Sequence, residues 1–203
     1  MNEEKEKIIE FAAQKFMDGG FYKTTMDQIA AEMHVSKKTI YRNFSSKEEL
    51  VREIAVRFLS RNSKMIDDVL NIRCNAVVKL FKIFQTVGSI VMKVNLEVIN
   101  DIHHYAPDVW KEIDDLRTKK MLSFLSDIVK QGQREGYFIK KNKEIIVSIF
   151  IASLRSVVNP MFVLNNSFTM IDALTETIEI LMLGILTDKG KKEFNKLKDG
   201  VIQ

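Results

Sequence analysis

Three helix starts follow one another closely in the N-terminal quarter of the chain. Thr25 and Gln28 form a capping-box pattern, in which the threonine caps the helix forward and the glutamine reaches back. Ser36 supplies a second N-cap, and Ser46 with Glu49 forms a second capping-box pattern. Hydrophobic residues recur at helical spacing behind the first start. Short helices joined by a tight turn in this way predict a helix-turn-helix bundle.

The rest of the sequence is also patterned as helices. A pair of glycines at positions 19 and 20 ends a first helix, and no alternation typical of strands persists anywhere. The chain has only two prolines and eight glycines, so turns are sparse. We therefore predict an all-α fold. Two short helices are expected to begin at residues 26 and 37. The other helices are expected over residues 3–18, 47–73, 75–94, 95–105, 107–131, 142–164 and 169–187.

A stripe of basic residues runs through the predicted helix-turn-helix. The formal net charge of +4 is too small to prove an anionic partner, and residues 1–60 carry as many acidic as basic side chains. Between residues 31 and 47, however, Glu32 is the one acid among the bases Lys37, Lys38, Arg42 and Lys47. Such a stripe is typical of an element that reads DNA. On charge alone, a solvated helix face is the favoured alternative.

The helix that begins after Ser36 has two faces of different chemistry. On a helical wheel Ile40 and Phe44 point into the bundle, and the side chains that point away are Lys38, Thr39 and Arg42. The major groove of DNA is about 12 Å wide and admits one helix. Arginine and lysine suit guanine edges or phosphates, and threonine suits a base edge or a methyl group. The outward face therefore indicates a recognition helix.

Residues 6–52 resemble the DNA-binding domain of the TetR family of regulators. The resemblance is carried by GFYKTTMDQIA at residues 20–30, VSKKTIYRNF at residues 35–44 and SKEEL at residues 46–50. Two positions depart from the family pattern. His34 stands in the turn where the family usually has glycine, and we expect histidine to tolerate the positive φ of that turn. Asn43 replaces a frequent histidine, without expected loss of the fold.

The resemblance implies two domains and a set of DNA contacts. The domains are a helix-turn-helix DNA-binding domain over residues 1–46 and a helical ligand-binding and dimerisation domain over residues 47–203. The last helix-turn-helix residues lead into a long helix that links the two. The implied contacts are Thr25 and Lys47 to phosphate, with Ser36, Lys37, Lys38, Thr39, Tyr41 and Arg42 at or near the groove. For Tyr41, the alternative to a DNA contact is a half-buried ring that packs against the protein.

The last predicted helix carries an apolar seam with the alternating spacing of a coiled coil. The helix is apolar on almost every face, so it needs cover on several sides. Pairing with a second copy, as in this family, supplies that cover, and a wholly internal core helix is the alternative. A homodimer would present two recognition helices to a pseudo-palindromic operator. The predicted seam consists of Ile171, Leu174, Ile178, Leu181 and Ile185.

Large apolar residues in the C-terminal body predict a cavity for a small-molecule effector. Each of them is individually as well explained as plain core. Arg155 interrupts an apolar run, so we expect it to be buried and paired with an anionic ligand or with an acidic side chain. Pro160 is expected to kink the same helix. The remaining candidate lining residues are Phe81, Phe84, Met92, Tyr105, Trp110 and Phe124.

Other functions are poorly supported by the sequence. No phosphate-binding loop, HExxH motif or nucleophile elbow is present, so an enzyme is not expected. Glu97, Asp101 and His104 share a helix face, but a solvated polar face explains them better than a metal site, and no metal or cofactor is expected. The single Cys74 excludes an intramolecular disulfide, and no apolar run reaches the roughly 18 residues of a membrane span. We expect a cytoplasmic protein without membrane contact.

The function that these features predict is a ligand-responsive repressor. It would bind double-stranded DNA as a homodimer and be released by a small, largely apolar effector. Two alternatives remain open from the sequence. One is a transcriptional activator of the same family, and the other is a helical protein-interaction module that uses the basic helix on an acidic partner.

Overall fold

The computed structural model describes residues 3–201, in which helices are joined by turns and loops and no strand occurs. One isolated antiparallel bridge joins Phe138 to Leu186. The predicted all-α fold is confirmed. The helices are α1 (Glu3–Gly19), α2 (Met26–Glu32), α3 (Lys37–Asn43), α4 (Lys47–Leu70), α5 (Ala76–Val91), α6 (Leu96–Tyr105), α7 (Pro107–Glu135), α8 (Lys143–Val157), α9 (Pro160–Leu164), α10 (Met170–Ile185) and α11 (Asp188–Val201).

The first of two compact units combines residues up to 61 with residues 95–116. It contains the first three helices, the start of α4, all of α6 and the start of α7. Its core is closed by apolar side chains from both segments, among them Ile29, Ile40 and Phe44 from the helix-turn-helix and Val98 and Ile102 from α6. The helix-turn-helix therefore shares its core with α6. The predicted domain boundary between residues 46 and 47 stays a prediction. Residues 1–2 of the first predicted domain and residues 202–203 of the second lie outside the described residues.

The second unit comprises residues 62–94 and the chain from residue 117 onward. Its core includes Leu80, Ile83, Phe150 and Met182, which are all nearly inaccessible to solvent. The terminal helix α11 was not predicted. It packs the buried ring of Phe194 into the same core, because that side chain lies on the apolar side of an otherwise lysine-rich helix.

The predicted helix over residues 142–164 is two helices. The chain leaves helical geometry at Val158, and Asn159 caps the new helix α9 by accepting a hydrogen bond from the Met161 backbone N–H at 2.9 Å. Pro160 occupies the first position of α9, where its missing N–H costs nothing. The expectation of one kinked helix was therefore wrong. Within the described residues, no helix is both long and apolar enough to cross a membrane.

Candidate nucleic-acid interface

The caps that orient α2 and α3 form as the sequence predicts. The Gln28 backbone N–H donates to Thr25 Oγ1 at 3.2 Å, and the Thr25 N–H donates to Gln28 Oε1 at 2.8 Å. Ser36 Oγ accepts from the Thr39 N–H at 3.0 Å. The turn between the two helices places His34 at φ +54°, which confirms the expected left-handed conformation. The α2–turn–α3 geometry therefore follows from local side-chain chemistry.

The second predicted capping box forms only in half. The Glu49 N–H donates to Ser46 Oγ at 3.1 Å, as expected. The carboxylate of Glu49 instead accepts from the N–H and the hydroxyl of Ser45, at 2.7 and 2.6 Å. These hydrogen bonds, first that from the Ser45 hydroxyl, lower the pKa of Glu49. The Glu49 carboxylate therefore bonds to Ser45, one residue before the N-cap Ser46 that a reciprocal capping box would use.

The recognition helix α3 has one buried and one exposed face. Ile40 and Phe44 are 0% and 1% exposed, so they belong to the core, as predicted. On the opposite side Lys38 and Arg42 are exposed. Tyr41 is 48% exposed, so it is not part of the core, and its contact with DNA stays a prediction. The side chains with base-reading chemistry are thus the ones that α3 leaves free of the core.

The remaining contact candidates lie on the same surface. Ser36 and Thr25 are exposed at the starts of α3 and α2. Thr39 is half-buried, and its hydroxyl lies 2.8 Å from Ser36 Oγ. Both hydroxyl groups are therefore engaged in the cap as well as placed near the outward face.

Two bases of this surface are held by acidic side chains. Lys37 Nζ lies 2.6 Å from Asp27 Oδ2, and this hydrogen bond raises the pKa of Lys37. Arg42 Nη2 lies 2.6 Å from an oxygen of Glu4. Lys38 makes no ion pair with any residue that the structure describes. The basic stripe therefore carries counter-ions of its own, and no feature of the sequence near Lys37 or Arg42 indicates them.

The side chain of Lys47 is turned into the first unit. Its ammonium group donates to the backbone carbonyls of Phe21, Tyr22 and Thr24 at 2.8, 3.3 and 3.0 Å, and it lies 4.2 Å from the centre of the Phe21 ring. Burial lowers the pKa of Lys47. An ammonium group has three N–H donors, so these carbonyls occupy all of them. A phosphate contact by the Lys47 backbone at the start of α4 stays a prediction.

Helix α6 holds the segment that leads into α2. Asp101 Oδ2 accepts from the Tyr22 backbone N–H at 2.9 Å, and the rings of Tyr22 and Tyr105 stack at 4.1 Å. Asn95 donates to the Met17 carbonyl at 3.0 Å. From the sequence alone, Asp101 is expected on a solvated polar face. No local signal revealed its partner, because the two residues are far apart in the chain.

The candidate effector residues divide between the two units. Tyr105 and Trp110 belong to the first, and the other five belong to the second. In the second unit Phe84 and Phe124 are buried in the core. Phe81 is half-buried and packs edge-on against the ring of Phe194, with 6.1 Å between ring centres.

Two further effector candidates are at the surface of the chain. Met92 is 68% exposed. Arg155 is also exposed, so the expectation that it is a buried arginine was wrong. The cause is the position of Arg155 on the outward side of α8, where an apolar sequence neighbourhood does not imply burial. Whether any of the seven residues contacts an effector stays a prediction.

The predicted dimer seam lies largely in the subunit's own core. Leu174, Ile178 and Ile185 are 3%, 8% and 7% exposed and pack in the core of the second unit. Ile171 and Leu181 are half-buried against the same core. Helix α10 therefore turns its 3-4-3-4 stripe inward, and these five residues are not the ones that it leaves open.

A different set of apolar side chains is exposed on α8 and α10. Ile145 and Ile149 of α8 are 60% and 51% exposed, and Ile180 and Leu183 of α10 are 70% and 46% exposed. The two helices pack against each other within the second unit. These four exposed apolar residues of two helices that pack together are called here the outer seam.

The chain is similar to known proteins in sequence and in fold. The profile of a family described as bacterial regulatory proteins, tetR family, matches residues 8–54. The HTH-type transcriptional regulator YvaF of Bacillus subtilis is 24% identical over 81% of this chain and 87% of its own. The HTH-type transcriptional repressor KstR2 of Mycobacterium tuberculosis is 27% identical over 68% of this chain and 70% of its own.

Solved structures agree with the fold over most of the chain. The structure of the ketosteroid transcriptional regulator KstR2 of Mycobacterium tuberculosis superposes with a TM-score of 0.61 and 22% identity, covering 93% of this chain and 97% of the other. The fatty acid degradation regulator FadR from Bacillus halodurans superposes with a TM-score of 0.68 and 17% identity, covering 89% and 95%. The relatives are regulators and not enzymes. Residues 8–54 thus match the tetR family of bacterial regulatory proteins, and the chain as a whole is similar in sequence and in fold to transcriptional regulators with an N-terminal helix-turn-helix and a helical C-terminal domain.

Proposed function

We propose that the protein is a cytoplasmic, ligand-responsive repressor that binds a pseudo-palindromic operator as a homodimer. A small, largely apolar effector releases it from the DNA. The observation that carries the proposal is the division of α3, where Ile40 is fully buried and the neighbouring Lys38 and Arg42 are exposed. A helix anchored on one side and open on the other has the shape and the chemistry to enter a major groove.

The DNA part of the proposal is tested by selection from a random-sequence duplex library. The expected result is an enriched site with two related half-sites whose centres lie about 34–36 Å, or a multiple, apart. Phosphate contacts predict an affinity that falls steeply with added salt. Lys38→Gln should weaken binding to the selected duplex, whereas Lys130→Gln, at an exposed position of the second unit, should not. Equal retention of all sequences in the library would refute operator recognition.

The dimer is proposed to form through the outer seam. Large exposed isoleucine and leucine side chains on two adjacent helices make an apolar patch of the kind that marks protein contacts. Pairing α8 and α10 with their copies would give a four-helix interface. Ile180→Glu should therefore yield monomers in sedimentation velocity. Leu122→Glu, at a 51% exposed position on α7, is the matched control and should leave the dimer intact.

The effector is proposed to be a lipid-like molecule. The ten methionines and the aromatic side chains of the chain suit an adaptable apolar cavity. KstR2 is a ketosteroid transcriptional regulator and FadR a fatty acid degradation regulator, and both share this fold. A coupling of about 1–3 kcal/mol between effector and DNA would lower operator affinity roughly 5–150-fold.

A panel of steroids and fatty acyl compounds tests this part. Each is added to the complex of the protein with the selected duplex, and release is followed by fluorescence anisotropy. Release by an apolar member, with no release by a matched water-soluble fragment, is the expected result. Tighter DNA binding in the presence of a panel member would instead assign the ligand a co-repressor role.

A further inference from the structure

The N-terminal turn of α1 contacts the recognition helix through one carboxylate. Glu4 Oε1 accepts from Arg42 Nη2 at 2.6 Å and from Asn43 Nδ2 at 2.7 Å. Asn43 in turn donates to the Thr39 carbonyl at 2.9 Å, so the amide that holds Glu4 is itself fixed to α3. The arginine remains 66% exposed at its side chain. Arg42 is thus tethered at one nitrogen and open to solvent at the rest of its guanidinium group.

We propose that Glu4 is a specificity-determining residue, which acts as an internal counter-ion of Arg42 and reduces binding to non-cognate DNA. The inference rests on the proposed DNA binding. Non-specific affinity comes from contacts between basic side chains and phosphates. To contact a phosphate of non-cognate DNA, Arg42 would have to leave the Glu4 carboxylate, and Glu4 would then lie close to that phosphate with the same sign of charge, so Glu4 disfavours this contact. Both effects weaken non-specific binding.

The same carboxylate favours the cognate complex. A guanidinium group has five N–H donors in a planar fork, and Glu4 engages one of its nitrogens. The remaining donors are available for a guanine edge, for which arginine is the commonest partner. Because Asn43 fixes Glu4, Glu4 limits the orientations that Arg42 can take. An arginine held in this way loses less rotamer freedom on reaching a base edge.

A second ion pair among the predicted DNA contacts shows the same arrangement. Asp27 lies 2.6 Å from Lys37 Nζ, so two bases of the stripe have an acidic partner within the same unit. Both pairs are exposed to solvent, which makes them cheap to open when DNA replaces the acid. The arrangement explains how a unit whose charges balance over residues 1–60 can still present bases to a duplex.

The test compares Glu4→Gln with Glu3→Gln. Glu3 is the adjacent residue of α1, and its partner is Lys7 at 2.8 Å, so both variants remove one negative charge and only the first frees Arg42. Dissociation constants are measured for the library-selected duplex and for a scrambled duplex of equal composition. Discrimination is the ratio of the two constants. For Glu4→Gln we expect discrimination to fall about three- to fivefold, the size of an exposed ion pair.

Two further readouts separate the inference from a general charge effect. On the scrambled duplex, the slope of log affinity against log salt should steepen by about 0.9 per subunit in Glu4→Gln, because one more phosphate contact forms. In an Arg42→Gln background, Glu4→Gln should have no further effect on discrimination. Circular dichroism confirms that each variant is folded.

The outcomes distinguish this inference from the proposed function. If the unmodified protein binds neither duplex, the proposed function fails and the inference fails with it. If the unmodified protein discriminates well and Glu4→Gln behaves like Glu3→Gln, only the counter-ion role of Glu4 is overturned.

Discussion

The structure predicts different effects when the charges of Lys47 and Lys38 are removed. Loss of the Lys47 ammonium group should reduce the stability of the protein, whereas loss of the Lys38 ammonium group should reduce its affinity for DNA. Lys47→Met deletes three hydrogen bonds to the carbonyls of the turn before α2 and the contact with the Phe21 ring. A hydrogen bond from a charged donor contributes about 1.5–3 kcal/mol where it is buried. Two of these bonds are partly buried and one is exposed, and the variant no longer has to bury an ammonium group.

The net loss should therefore be about 2 kcal/mol of unfolding free energy. For a chain of this size that corresponds to a melting temperature lower by about 4–8 °C. Trp110 is the only tryptophan of the sequence and packs against the core of the first unit. Urea unfolding followed by its fluorescence therefore measures the stability of the unit that contains Lys47.

Lys38→Met is the matched control. Lys38 is exposed on α3, so the variant should unfold within about 0.5 kcal/mol of the unmodified protein and still lose affinity for the selected duplex. Lys47→Met should keep the salt dependence of DNA binding unchanged at a temperature where it is folded. If Lys47→Met unfolds normally but binds DNA with a shallower salt dependence, its side chain is a phosphate contact and the reasoning is wrong.

Four other substitutions, at three positions, test the packing of the two units by thermal or urea unfolding. Gly132→Ala would place a methyl group closer to the ring edge of Phe138 than van der Waals contact allows, and it should cost about 1–3 kcal/mol. Gly20→Ala should cost a similar amount, because Gly20 has φ +81° and an added Cβ would lie 3.1 Å from Asp101 Oδ2. Asp101→Ala leaves the Tyr22 N–H without its acceptor and should cost about 1 kcal/mol, and Asp101→Asn should recover most of it.

Features that depend on neighbours in sequence were predictable. The Thr25 and Ser36 caps form because each needs only a hydroxyl and an N–H three residues away. The burial of Ile40 follows from helical spacing in the same way. Cap chemistry and periodicity were therefore sufficient to orient the recognition helix.

Features that depend on distant partners were not predictable. Nothing near Lys47 reveals that its acceptors are carbonyls more than twenty residues upstream, and nothing near Arg42 points to Glu4. The stripe that contains Leu174 and Ile178 was recognised as apolar, but α10 has two apolar sides. Periodicity alone does not say which side meets the subunit's own core and which side is left for a partner.

Photo-crosslinking tests the central claim most directly, namely that the outward face of α3 meets the bases of a duplex. Tyr41 and Tyr105 are both exposed tyrosines of the first unit, at 48% and 53%, but only Tyr41 lies on α3. Each is replaced in turn by p-azidophenylalanine, and the protein is irradiated with the library-selected duplex. We expect crosslinks to the DNA from position 41 and not from position 105. Equal crosslinking from both positions, or crosslinking from position 105 alone, would contradict the account.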